Sequence, residues 1–137
     1  MSIGAAFEMA LRAHTGQTDK AGEPYIAHVV RVAARVEGEN ATIVALLHDV
    51  VEDCDVTLAD VFAAFGQRIA DAVDALTKRK GEPQESYLLR VSADPLARIV
   101  KLSDLADNTS PMRIALLDDA TKTRLEKKYT AAIAALN

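Results

Sequence analysis

The stretch Ile43-Val44-Ala45-Leu46-Leu47 runs without a polar residue straight into His48-Asp49-Val50-Val51-Glu52-Asp53. On a helix, His48 and Glu52 form one i,i+4 pair, and Asp49 and Asp53 form another. Successive helical residues turn by about 100°, so all four can crowd one side of the helix end. The adjoining side keeps Val44, Leu47 and Val51 for a core. Three carboxylates at a helix C-terminus oppose the macrodipole, which is negative there. A bound cation would offset that penalty, and a solvated acidic turn would relieve it. From this stretch alone both readings stand.

The rest of the chain reads as short helices. Ser2 is placed to cap a helix to about Ala13, with Ile3, Phe7, Ala10 and Leu11 on one face. His14 to Glu23 reads as a loop. Pro24 suits a first helical turn, and the helix after it runs through Val36. Gly38 ends that helix and Asn40 caps the next. Thr57 caps a short helix to Phe65, with Asp60 as its box partner. After Gly66 another helix ends near Lys78-Arg79-Lys80-Gly81, where cations suit the dipole. Further helices are expected over Glu85 to Val91, from Pro95 to about Asp107, and from Asp118-Asp119 to Leu136. No stretch alternates with period two for long enough to argue a strand. The expected fold is all-α: one bundle of eight or nine short helices across residues 1–137.

The chain has 137 residues, enough for one core. With no Trp, three Phe and three Tyr, that core must be mostly Ala, Val, Leu and Ile. No apolar run approaches the roughly 20 residues that cross a bilayer. The N-terminus lacks a basic region, so no signal peptide is expected. One cysteine, Cys54, allows no internal disulfide and suits a reducing cytoplasm. A net charge of −4 argues against a generic nucleic-acid binder. A small anion remains possible through a local basic patch or a metal. The sequence carries no signal for oligomeric state.

Three histidines are present: His14, His28 and His48. His28 lies amid apolar neighbours, where a histidine is either a core residue or a ligand. Lys101, Asp104 and Asn108, at spacings of three and seven, fall within about 60° of one another on a helix. Together the stations read His28…His48-Asp49…Asp104. Two imidazoles and two carboxylates form a mixed nitrogen and oxygen set that suits Mn²⁺, Fe²⁺, Co²⁺ or Zn²⁺. A five- or six-coordinate ion held so keeps places for water and substrate. Adjacent His48 and Asp49 can both ligate only if the helix end turns toward the ion. The ligand supply suits one metal, because His14 lies in another segment.

Four separated motifs recur in a known order. They are His14-Thr15-Gly16-Gln17, Gly22-Glu23-Pro24-Tyr25-Ile26-Ala27-His28, His48 to Asp53, and Lys101-Leu102-Ser103-Asp104-Leu105-Ala106-Asp107-Asn108. On an all-α chain this resembles the HD phosphohydrolase superfamily. More closely it resembles the hydrolase domain of RelA/SpoT-type alarmone enzymes in free-standing form, the small alarmone hydrolases. The resemblance covers about Phe7 to Asn108. It implies an HD-domain bundle and Mn²⁺-dependent removal of the 3′-pyrophosphate from an alarmone, (p)ppGpp or (p)ppApp, by hydrolysis at a phosphoric diester bond. No synthetase segment is expected after Asn137.

Carried over residue by residue, the resemblance implies that His28, His48, Asp49 and Asp104 hold the metal. Glu52 and Asp53 become the acid/base and water-positioning pair. Asn108 contacts the nucleotide, and Lys20 and Lys101 are candidate cations for its phosphates. The family usually carries Arg-Lys where this chain has Asp19-Lys20. Asp19 is either a turn cap or a specificity residue, which leaves guanosine and adenosine both open. Arg31 and Arg35 share the face of His28 and either touch phosphate or form surface ion pairs. The alternatives are another HD-type nucleotidase and a nucleotide-binding sensor without turnover.

Overall fold

The structure, a computed structural model, describes residues 2–137. Its centre is α3 (Glu39–Leu47), which is buried nearly all round: Ala41 and every residue from Ile43 to Leu47 lie in the core. A helix apolar on every side needs neighbours on every side. They are α1 (Ile3–Ala13), α2 (Tyr25–Ala34), α6 (Gln67–Leu76) and α8 (Pro95–Asn108), all packed against it. Burying a side chain such as Ile43 or Leu47 contributes roughly 1.5–3 kcal/mol.

The central motif does not sit on one continuous helix. The α3 helix stops at Leu47, and Asp49 takes φ −111°, ψ 0° before a single turn, α4 (Val50–Asp53). Beyond it lie α5 (Leu58–Phe65), α7 (Gln84–Ser92), the single turn α9 (Pro111–Ile114) and α10 (Asp119–Leu136). Eight helices of at least eight residues and two single turns result, with no strand among the described residues. Thr18 and Pro24 pair as an isolated bridge that closes the loop between α1 and α2.

Most helix ends follow their local sequence. Ser2, Thr57, Asp94 and Asp118 each cap a helix through a side-chain oxygen. Thr57 and Asp60 form a full capping box, at 3.1 Å and 3.0 Å. One expectation is corrected. Gly38, at φ 94°, is itself the cap of α3, so Asn40 is not. On α1 the buried residues are Ala6 and Ala10, while Ile3, Phe7 and Leu11 are about 40% exposed. Two methyl groups let α1 lie close to α3, which larger side chains would prevent. The α6 helix ends at Leu76, before Lys78-Arg79-Lys80, and arginine side chains come back to its last carbonyls. Arg79 reaches Asp74 O at 3.0 Å, and Arg90 reaches Asp74 O and Ala75 O at 2.9 Å and 3.1 Å. Tyr87 donates to Leu76 O at 3.0 Å.

The Thr57→Ala variant loses both halves of the box. It should lose about 1 kcal/mol of stability, read as a lower midpoint in thermal unfolding with the helical signal retained.

Candidate active site

Asp104, on the third turn of α8, is the junction. Its Oδ1 lies 2.8 Å from His28 Nε2 and 3.6 Å from His48 Nε2, and its Oδ2 lies 3.1 Å from Lys101 Nζ. Ser103 beside it donates to Val32 O at 2.8 Å, which locks α8 against α2. His28, His48 and Asp104 are all buried, and one ligand atom from each lies within 4.8 Å of the others. Asp49 stands at the edge of this cluster. Its Oδ2 is 2.9 Å from His48 Nε2 and accepts the Tyr25 phenol.

The imidazoles are oriented from behind. His48 Nδ1 lies 2.6 Å from Ala45 O, an acceptor only, so Nδ1 carries the proton. His48 Nε2 then faces Asp49 Oδ2 and Asp104 Oδ1. His28 Nδ1 lies 2.7 Å from Asp107 Oδ2, which leaves its Nε2 toward Asp104. An imidazole backed by a carboxylate or carbonyl, with its other nitrogen presented, is the arrangement of metal-binding histidines. The donor set is nitrogen and oxygen without sulfur, as a hard or borderline divalent cation prefers. The residues therefore fit a metal, with Asp49 adjacent to take part.

Charge in the cluster is strongly perturbed. Burial alone lowers the pKa of His28, but hydrogen bonds to Asp104 and Asp107 outweigh it and raise it. At His48 burial again lowers, while the Asp49 charge and Asp104 lift it well above the usual histidine value. Burial opposes ionisation of Asp104, but the Lys101 charge and both histidines hold it well below the usual carboxylate range. A divalent cation must displace protons to bind such a set.

A cleft of about 420 Å³ opens over the cluster, walled by Asp49, Glu52, Asp53, Asn108, Lys20 and Arg113. A smaller lobe of about 160 Å³ adjoins it, lined by Lys78, Lys101, Tyr87 and, in common with the cleft, Lys128. Glu52 Oε1 accepts from Lys78 N at 2.7 Å. Burial, then the charges of Asp49 and Glu52, push the Asp53 carboxyl up to about 6. A carboxyl titrating there suits proton transfer near neutral pH. Asn108 donates to Asp104 Oδ1 at 3.3 Å. Lys101 is already paired with Asp104 and lies 5.4 Å from the Tyr87 ring centroid, so its charge is shared. Burial and the neighbouring cations Lys20, Lys101 and Lys78 lower the pKa of Lys128.

The residues assigned to metal, proton transfer or substrate from sequence lie at this cluster, at the cleft or at its smaller lobe. Arg31 and Arg35 do not line it. They bond Asp107 Oδ1 at 2.9 Å and 2.8 Å. Asp19 is a turn cap: Oδ1 accepts from Ala21 N and Glu23 N at 2.9 Å and 3.0 Å, and Oδ2 lies 2.9 Å from Arg113 Nη1. Sequence reasoning missed Asp107, Arg113, Lys128 and the Tyr25 phenol. Asp107, three residues past Asp104, was legible as a same-side neighbour. Arg113 and Lys128 carry no local signature, because only the packing of α9 and the return of α10 bring them to the cleft.

Two substitutions test the cluster. His48→Ala should stay folded and lose bound metal, read by metal analysis beside circular dichroism. Asp107→Asn keeps the shape but removes the charge behind His28, so metal affinity should fall about 10- to 100-fold by titration calorimetry.

Residues 6–131 match the family described as "HD domain". The guanosine-3′,5′-bis(diphosphate) 3′-pyrophosphohydrolase of Vibrio cholerae is 40% identical over 124 residues, covering 82% of this chain and 18% of that protein. The enzyme of the same name from Aquifex aeolicus is 38% identical over 122 residues, covering 80% and 18%. The chain thus spans less than a fifth of the length of these curated relatives. A solved structure described as a metazoan ortholog of SpoT that hydrolyzes ppGpp superposes with TM-score 0.83 at 23% identity, covering 98% of this chain and 85% of that one. That likeness establishes the all-α fold. By the family match and the identity to these relatives, the chain belongs to the HD-domain family.

Proposed function

We propose that this chain is a metal-dependent hydrolase that removes the 3′-pyrophosphate from (p)ppGpp. The observation that carries the reading is the buried His28–His48–Asp104 cluster under a cleft lined by both carboxylates and cations. His28, His48, Asp49 and Asp104 would hold one divalent cation, and Mn²⁺ is the ion that the family resemblance implies. That ion would supply Lewis acidity and make water acidic enough to ionise near neutral pH. Asp53, with its raised pKa, takes a proton from the attacking water. Glu52 is held by the Lys78 amide and lies beside Asp53 to orient that water. The water oxygen bonds to the phosphorus on the ribose 3′-oxygen, and the bond between them breaks. The 3′-oxygen takes up a proton, and pyrophosphate is released. Lys20, Lys101, Lys128 and Arg113 offset the charge of the phosphates, and Asn108 contacts the nucleotide.

Asp19 does not repel such a polyanion, because Arg113 neutralises it. The names of the relatives favour guanosine, and (p)ppApp is the natural comparison substrate. A cytoplasmic location fits a nucleotide substrate and the single Cys54. No helix among the described residues is long and apolar enough to cross a membrane.

The Mn²⁺-loaded protein should release pyrophosphate from ppGpp, and chelation should abolish it. In Asp53→Asn, kcat should fall about 10²- to 10⁴-fold with metal retained. Product analysis on a panel of ppGpp, ppApp and nucleoside monophosphates is decisive. Orthophosphate from a monophosphate would make the protein a nucleotidase, and binding without product would make it a sensor.

A further inference from the structure

The turn that carries Glu52 and Asp53 is too short to hold itself. One helical turn fixes several backbone torsions for about one hydrogen bond. The bond from Asp53 N–H to Asp49 O, at 3.0 Å, is what α4 gains locally. Outside contacts must therefore set where these two carboxylates lie. Lys78 N–H grips Glu52 from one side. From the other, Gln17 Nε2 lies 3.4 Å from both Asp53 O and Cys54 Sγ.

The Gln17 amide is itself oriented. Its Oε1 lies 2.9 Å from Nδ1 of His14, a buried residue. A carbonyl oxygen only accepts, so His14 holds the proton and the amide NH₂ must face α4. The Gln17 backbone is tied as well. Its C=O accepts from Tyr25 N at 2.9 Å, and its N–H donates to His14 O at 3.0 Å. Tyr25 in turn donates its phenol to Asp49. One glutamine thus joins the start of α2, which sets Tyr25 against Asp49, to the end of α4, which sets Asp53. Gln17 lines neither the cleft nor its smaller lobe.

We propose that Gln17 is a positioning residue: its side-chain amide, aimed by His14, holds the Glu52–Asp53 turn at the cleft. This rests on reading that pair as the proton-handling groups. The test uses the Mn²⁺-loaded full chain with Gln17→Ala and Gln17→Glu. In Gln17→Ala, kcat falls about ten- to a hundredfold, KM and Mn²⁺ affinity stay unchanged, and amide exchange accelerates over residues 51–54 alone. In Gln17→Glu the ionised carboxylate repels Asp53 O, and its protonated form regains a donor. The kcat deficit of that variant therefore shrinks as pH falls, which loss of packing does not produce. Wild-type kcat in Gln17→Ala overturns the proposal. So does a loss matched by weaker Mn²⁺ binding and faster exchange throughout the protein. Amide exchange is readable whether or not the chain turns over substrate. A wild type that releases no pyrophosphate refutes the activity, while unchanged exchange over residues 51–54 refutes the clamp.

Discussion

An ionised carboxylate inside a helical bundle is costly unless charge and hydrogen bonds surround it. Asp104 is such a group, 7% exposed and held in its charged form by Lys101, His28 and His48. Those partners come from α2, from the end of α3 and from α8 itself, so satisfying one carboxylate brings together three parts of the chain. The apolar side of each helix supplies most of the packing energy. The polar cluster decides how the helices stand toward one another, because Ser103, His28 and Asp107 join α2 to α8 only in one alignment. Removing any partner would leave a buried charge exposed to a medium that solvates it poorly.

The second constraint is the early end of α3. Had the helix continued, His48 and Asp49 would have diverged by about 100° around its axis. The break after Leu47 turns both toward Asp104 and starts a new turn, so that Glu52 and Asp53 reach the cleft above them. Fully buried apolar residues on α3 come directly before this break, which gives the reactive groups a rigid base. Rigidity matters because carboxylates that exchange protons or orient water work only within small errors of position.

Around that base, charge is arranged by distance. Asp107 lies 1% exposed and receives Arg31 and Arg35. Burial works against its ionisation, yet the bonds from His28 and the two arginines keep it well below the usual carboxylate range. It therefore remains an anion behind His28 near neutral pH. Arg113 bridges toward Asp19 and extends this network to the loop over the cleft mouth. Cations that lack so close a partner, such as Lys128, crowd one another instead, and such crowding favours an anionic ligand.

Local chemistry in the sequence was enough for the all-α fold and most caps; the recurring motifs singled out His28, His48 and Asp104, which the structure gathers, and Asp49, which stands at their edge. Helical spacing, proline, glycine and capping side chains act over a few residues, so they can be read from neighbours. Ile3, Phe7, Ala10 and Leu11 share a face, but only Ala10 of them is buried, because periodicity shows a face and not the gap it fills. Two alanines fit that gap better. Asp107, Arg113 and Lys128 owe their roles to partners tens of residues away. Those partners meet only when α8 lies on α2 and α10 folds back across the cleft. Which groups can carry charge is a property of the chain; which of them share it is set by burial and distance, and these exist only after the helices pack.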